Sequence, residues 1–220
     1  MKKHAILFIS TIALCCSIVN AKESSAEIVL FDGTTLDHFQ AKSGGPVTKG
    51  WKIDENGLLF RHEKGGDIVT KQTFADFEFT FEWKISEAGN SGIKYRHAKY
   101  NAGLNGPEYQ ILDDAGHGNG KNPYTSAGAM YLLAKRSSDD PVKKAGEWNV
   151  GKIVAKGSHV EHWLNGVKVV ELDLASDAFD TQLKQTKFKK YEQYGQLKGQ
   201  IMLQDHNDLV WYRNLKIREL

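Results

Sequence analysis

Between Phe77 and Ile85 five large apolar side chains, Phe77, Phe79, Phe81, Trp83 and Ile85, alternate without a break with Glu78, Thr80, Glu82 and Lys84. A strand turns successive side chains to opposite faces, so this order describes a long strand with one face in a core and the other in water. Shorter runs of the same kind recur at 58–61, 93–97, 108–112, 129–133, 149–155, 159–164, 168–172, 201–204 and 210–219. Many short strands with little helical periodicity define an all-β sandwich or barrel. Asn56-Gly57 and Asn165-Gly166 fall between apolar runs, where their tolerance of positive φ closes tight hairpins. One short surface helix is predicted: Ser176 caps it, Phe179 and Leu183 share a face, and Lys184 and Lys187 suit its end.

Lys2 and Lys3 precede an apolar stretch from Ala5 to Val19 and then Val19-Asn20-Ala21, the order of a secretory signal peptide cut after Ala21. The expectation is a signal over 1–21 and one domain over 22–220, periplasmic or secreted. The stretch is shorter than the roughly 20 residues that span a bilayer, so no membrane insertion should outlast signal removal. Leu14 stands before Cys15, where lipid attachment wants a small residue, so a lipoprotein is disfavoured. Cleavage would remove both cysteines, Cys15 and Cys16, and with them any disulfide or thiol nucleophile. The net charge of +2 is accounted for by Lys2 and Lys3. A charge-balanced domain argues against nucleic acid as a partner.

Several segments carry groups suited to chemistry. Glu82 and Lys84 project from one face of their strand, about 7 Å apart. If Tyr109 and Ile111 enter the core, Glu108 and Gln110 share the opposite face. Paired carboxylates suit acid and base work on glycosidic bonds. Gln204-Asp205-His206-Asn207-Asp208 packs amide, acid and imidazole into five residues. Trp148-Asn149 and His162-Trp163 add groups that stack on sugars or hydrogen-bond to them, although a tryptophan in a sandwich is more often core. The plain alternative for the acidic faces is solvated surface with cross-strand ion pairs.

Other motifs fall short. Gly116-x-Gly118-x-Gly120-Lys121 lacks the strand and helix of a phosphate cradle. The odd spacing of His159 and His162 puts them on opposite faces of a strand, which separates them as metal ligands. Asp113, Asp114 and Asn119 offer oxygens without the spacing of a calcium loop. They begin the stretch Asp113 to Ala127, the longest without a strand pattern, and long loops in compact domains are often functional.

Taken in order, a set of short words covers nearly all of 22–220. They are Leu30-Phe31-Asp32-Gly33, Gly66-Asp67-Ile68, Phe77 to Lys84, Asn90-Ser91-Gly92-Ile93, Gly106 to Asp114 and Gly146-Glu147-Trp148-Asn149. His162-Trp163-Leu164-Asn165-Gly166, Leu203-Gln204-Asp205-His206 and Trp211 to Ile217 complete the set. Together they resemble the 3-keto-disaccharide hydrolase domain family, formerly a domain of unknown function. The resemblance implies a concanavalin-like jelly-roll sandwich of two antiparallel sheets, exported by a bacterium, with sugar bound on the concave sheet. It implies substrates already oxidised at C3 of the sugar. It also implies that Glu82, Lys84, Arg96, Glu108, Gln110, Asn149, His162, Gln204 and His206 line that sheet, with Asp114 among the substrate contacts.

A C3 ketone acidifies the C2 hydrogen, so the C1 substituent can leave by elimination, with water added afterwards. On this expectation Glu108 or His206 takes the C2 proton, Lys84 and Arg96 stabilise the oxyanion, and Glu82 or an adjacent acid protonates the leaving oxygen. Nothing in the sequence requires a cofactor, and a divalent metal could replace the cationic side chains. Two other readings fit the same residues: a direct hydrolase of unoxidised glycans, and a non-catalytic carbohydrate-binding module. Lys94 is a departure, standing where the family is usually apolar or aromatic.

Overall fold

The computed structural model describes residues 25–137 and 141–220, and the predicted signal segment with Cys15 and Cys16 lies outside them. In chain order the strands are β1 (Ile28–Phe31), β2 (Phe39–Ala41), β3 (Trp51–Ile53), β4 (Leu59–Arg61), β5 (Ile68–Thr70), β6 (Phe77–Ile85) and β7 (Asn90–Tyr100). They continue as β8 (Gly103–Asn105), β9 (Glu108–Leu112), β10 (Asn149–Lys156), β11 (His159–Leu164), β12 (Val167–Asp173), β13 (Gln200–Leu203) and β14 (Val210–Glu219). Helix α1 spans Asp177–Lys184. Among the described residues no helix is long and apolar enough to cross a membrane.

These strands form two antiparallel sheets, the sandwich that the alternation predicts and the jelly roll that the resemblance implies. The larger runs β12-β11-β10-β6-β14-β4-β3, with β1 beside β14; the smaller runs β2-β5-β13-β7-β8, with β9 also paired to β7. Along β6 buried and half-buried residues alternate without exception, so its five apolar side chains all enter the core. From the facing sheet Tyr109 meets Phe81 edge-on at 5.1 Å, and Tyr95 meets Phe77 at 6.2 Å. Burying an aromatic side chain of this size stabilises a fold by roughly 1.5–3 kcal/mol, so this seam is what holds the sheets face to face.

The β11–β12 hairpin turns at Asn165 (φ 48°) and Gly166 (φ 85°), the conformations that Asn-Gly supplies. Ser176 caps α1 by accepting from Phe179 N at 3.2 Å, and Phe179 and Leu183 are its buried face. The run 129–133 is not a strand. Met130 bridges singly to Tyr109 and to Ala134, and Leu132 takes φ 63°, so the chain doubles back on itself there. β1, β2, β3, β5 and β8 are three or four residues long and do not stand out by alternation in the sequence.

One polar bridge crosses the core. His162 is fully buried; its Nδ1 lies 2.9 Å from the Gly128 carbonyl and its Nε2 lies 3.0 Å from the Tyr95 hydroxyl. A carbonyl can only accept, so Nδ1 carries the proton and Nε2 accepts from Tyr95. Burial pushes the imidazole down to about 4 from 6.5. The unfolded chain therefore binds a proton that the folded one refuses, and stability falls as pH drops from about 6.5 to about 4. His97, whose Nδ1 is buried without a partner among the described residues, is also held down to about 4, by burial and then by Lys42 and Lys94. Each histidine should contribute roughly 3 kcal/mol to that loss. Urea unfolding at pH 7, 5.5 and 4.5 should show the slope, and His162→Gln should flatten it; an identical profile for that variant would contradict the bridge.

Candidate active site

Because Tyr109 and Ile111 point into the core, the β9 strand turns Glu108 and Gln110 to the outer face of the six-stranded sheet. Pairing then sets their neighbours: Lys94 lies opposite Glu108 and Gly92 opposite Gln110. On the other flank of β7, the Gln204 N–H donates to the Gly92 carbonyl at 3.0 Å, which brings the end of β13 alongside. Glu108, Gln110, Lys94, Asn90, Gln204 and His206 line a hollow of about 100 Å³. Tyr131 and Lys187 complete its wall from the loops.

Glu108 is 7% exposed. Burial raises the proton affinity of its carboxyl, against the pull of Lys94, Lys187 and His206. The Lys94 ammonium stands 3.8 Å from Glu108 Oε2 and donates to Asn105 Oδ1 at 3.0 Å. Gly92 makes the space: a Cβ there would come within 2.6 Å of Glu108 Oε1. Gln110 donates through Nε2 to the Thr125 carbonyl at 3.1 Å, which fixes its amide and leaves Oε1 buried with no partner among the described residues. Gln204 Oε1 is in the same condition. A buried acceptor left unpaired costs about 1–3 kcal/mol, so two of them beside a carboxyl mark a site for a ligand rich in hydroxyl donors. The long loop after β9 is thus a brace for Gln110, not an idle excursion.

The structure brings together four of the residues predicted for the site: Glu108, Gln110, Gln204 and His206. The expected single platform is otherwise divided. Glu82 and Lys84 belong to β6, on the outer face of the eight-stranded sheet. There Glu82 accepts from Arg213 Nε at 2.8 Å and from Asn214, while Lys84 lies over the rings of Trp211 and Trp148 at 4.6 and 5.2 Å. Asn149 and His162 also lie in the larger sheet. Asn149 accepts from Lys143 N and from Asn165, tying a loop to the β11–β12 turn, and His162 is the core bridge described above.

Arg96 leaves the face by a different route. Between Lys94 and His97 the β7 strand carries one residue more than β13 opposite, a bulge with Arg96 at φ 46°. The bulge sends the guanidinium away from the hollow to the carbonyls of Ala75, Gly157 and Gly195, with Asp76 at 3.2 Å. Asp114 pairs with Arg136 at 2.7 Å and accepts from Ala127 N, closing its own loop. Asp113 accepts from Ala88 N and Ala115 N.

Sequence reasoning missed Asn90, Lys94, Tyr131 and Lys187 as lining of this hollow, and Gly92 as the residue that makes room for Glu108. Lys94 carried a signal, as a charge where its family is usually apolar or aromatic, and Asn90 and Gly92 fall in one of the words that carry the resemblance. The remaining outer face of the eight-stranded sheet is covered by its own ion pairs. Glu78 meets Arg218 and Lys152, Glu161 meets Lys168, and Lys152 lies 4.3 Å from the Trp163 ring centre. Among the described residues one group of three metal-capable side chains occurs, His159, Glu161 and Glu171, on this same face; Lys168 pairs with both glutamates there.

The relatives that this chain matches make it a carbohydrate-active enzyme of the hydrolase type, and a buried carboxyl beside bare amide acceptors on a jelly-roll sandwich is in keeping with that. The chain belongs to the family of 3-keto-alpha-glucoside-1,2-lyase-like domains, which it matches over residues 26–218. It is 27% identical to a 3-keto-disaccharide hydrolase of Bacteroides thetaiotaomicron, over 90% of this chain and 80% of that one. Two crystal structures described as glycosyl hydrolases of Parabacteroides distasonis share the architecture. One has a TM-score of 0.77 at 29% identity, covering 88% of this chain and 94% of that one. The other has 0.68 at 28% identity, covering 89% and 100%.

Proposed function

We propose that this chain is an exported enzyme that cleaves 3-keto-glycosides by elimination across C1–C2 followed by hydration. The observation that carries this reading is the buried Glu108 carboxyl, made more basic by its surroundings and set beside the Lys94 ammonium. Glu108 takes the C2 proton. The electron pair passes onto the C3 ketone oxygen, where Lys94 meets the developing charge. Collapse of the enolate expels the C1 oxygen, which His206 protonates. Water then adds at C1 of the enone, C2 regains a proton, and 3-keto-sugar is released. Lys94 thus takes the role first expected of Lys84 and Arg96, and His206 the role expected of Glu82.

The lyase-like family and the hydrolase relative fit one sequence of steps: the first half is a lyase reaction and the sum is a hydrolysis. Among the described residues Glu108 is the one carboxylate that lines the hollow, so the paired-carboxylate route of direct glycosidases finds no second acid there. Gln110 Oε1 and Gln204 Oε1 accept sugar hydroxyls and orient the ring.

The test is product analysis in deuterium oxide, with an α-linked 3-keto-glucosyl disaccharide and its unoxidised parent, each with and without a chelator. Cleavage of the keto substrate alone, with deuterium at C2 of the early product, is expected. Turnover of the parent alone, or retention of hydrogen at C2, would refute the mechanism. Loss of turnover in chelator would give a metal the role assigned to Lys94.

A further inference from the structure

In the segment Gln204–Asp208 every residue is tethered except one. The Gln204 carbonyl accepts from Ser91 Oγ at 2.9 Å, and the Asp205 N–H donates to Asp67 Oδ1 at 3.0 Å. Asp205 Oδ1 accepts from Arg61 Nε at 2.8 Å and from Asn207 N at 3.2 Å. Its Oδ2 accepts from Gly65 N at 2.9 Å and Gly66 N at 2.8 Å. The Asn207 carbonyl accepts from Arg61 Nη1, and Asp208 Oδ2 accepts from Asn90 N at 2.9 Å. Among the described residues His206 alone in this segment has no hydrogen bond to protein, and its exposed ring lines the hollow.

The Arg61–Asp205 pair is buried, with side chains 8% and 3% exposed. Burial pushes the Asp205 carboxyl up, but the Gly65, Gly66 and Asn207 N–H groups and the Arg61 guanidinium outweigh it and hold it below its usual range. Removing two charges from water is costly unless their hydrogen bonds are filled, and here the carboxylate accepts four. Arg61 comes from β4 in the eight-stranded sheet, while the segment it grips follows β13 in the other. The clamp also holds Asn207 at φ 75°, a left-handed conformation that redirects the chain directly after His206.

We propose that Arg61 and Asp205 are positioning residues, a buried clamp that fixes the backbone on either side of His206 so that its imidazole stands in the Glu108 hollow. This rests on the reading of His206 as proton donor to the leaving oxygen. A positioned acid matters when the leaving group needs a proton and matters little when it does not. The clamp is therefore tested with two substrates: an α-linked 3-keto-glucosyl disaccharide, whose alkoxide must be protonated, and 4-nitrophenyl 3-keto-α-D-glucopyranoside, whose nitrophenolate leaves unaided.

Asp205→Asn should lower kcat on the disaccharide about 100-fold and on the nitrophenyl glycoside by less than about fivefold, with KM near that of the parent enzyme. His206→Gln should give the same pattern, and the double variant should be no slower than His206→Gln alone. Arg61→Lys, which keeps the charge but loses the fork, carries the same comparison should Asp205→Asn fail to fold. Equal slowing of both substrates, additive losses in the double variant, or a clamp variant at full speed beside a crippled His206→Gln would each overturn the proposal. Full activity of His206→Gln on both substrates would instead remove the acid role of His206, and the clamp's catalytic purpose with it.

Discussion

Glu108→Gln is expected to lower kcat on a 3-keto-glucoside by about 1,000-fold, within the range that a single general acid or base contributes. The amide keeps the size and hydrogen-bonding outline of the carboxyl but cannot take the C2 proton. Burial disfavours the charge of Glu108 while Lys94, Lys187 and His206 favour it, so losing that charge removes a cost and a gain together. The variant should therefore stay folded, and KM should change by less than about threefold, because binding and proton transfer are separate contributions. Steady-state kinetics and thermal melting on the same preparation read both quantities. Lys84→Ala and Glu82→Gln serve as controls on the other sheet, expected within about twofold of the parent kcat. An active Glu108→Gln enzyme would leave the reaction without its base.

Gly92→Ala should cost about 100-fold in kcat although residue 92 touches no substrate in this reading. Its backbone is not left-handed, so alanine is acceptable to the strand itself. The added methyl would lie 2.6 Å from Glu108 Oε1 and 3.0 Å from Cδ and Cγ, so the carboxyl end must move. Displacing a reacting group by about 1 Å is enough for a loss of this size. Stability should change by less than about 1 kcal/mol, because the entropy lost by the unfolded chain offsets the cost of shifting one side chain. A normal melting curve with a collapsed kcat is the expected result. Full activity would mean that the Glu108 position is not critical.

Period-two alternation made the sandwich legible, together with the parity of nearly every long strand. It identified Tyr109 and Ile111 as core and therefore set Glu108 and Gln110 outward together. Parity does not say which of two sheets a strand joins, and that is why Glu82 and Lys84, outward like Glu108, could not be separated from it. Sheet membership is decided by partners more than 100 residues away in the chain, as when β6 pairs with β14 through Glu82 and Arg213. His162 shares parity with Val160 and Leu164, so its buried position was readable from the residues; the resemblance drew it into the site. Arg96 was not readable, because the bulge shifts the phase of β7 within one strand. Tyr131 lies in a run whose alternation reads as a strand but which doubles back on itself, and Lys187 follows the helix, so the periodicity around them did not point to the hollow.

The outer face of the eight-stranded sheet settles its own charges and lies away from the proposed site. Residues 22–220 contain no cysteine, and Val150 lies on that face, 48% exposed, with a backbone held by Asn165 whatever its side chain. In a chain expressed from residue 22, a single thiol introduced at Val150 would thus be a unique handle for coupling the enzyme to a solid support with the Glu108 hollow turned toward the flowing solution.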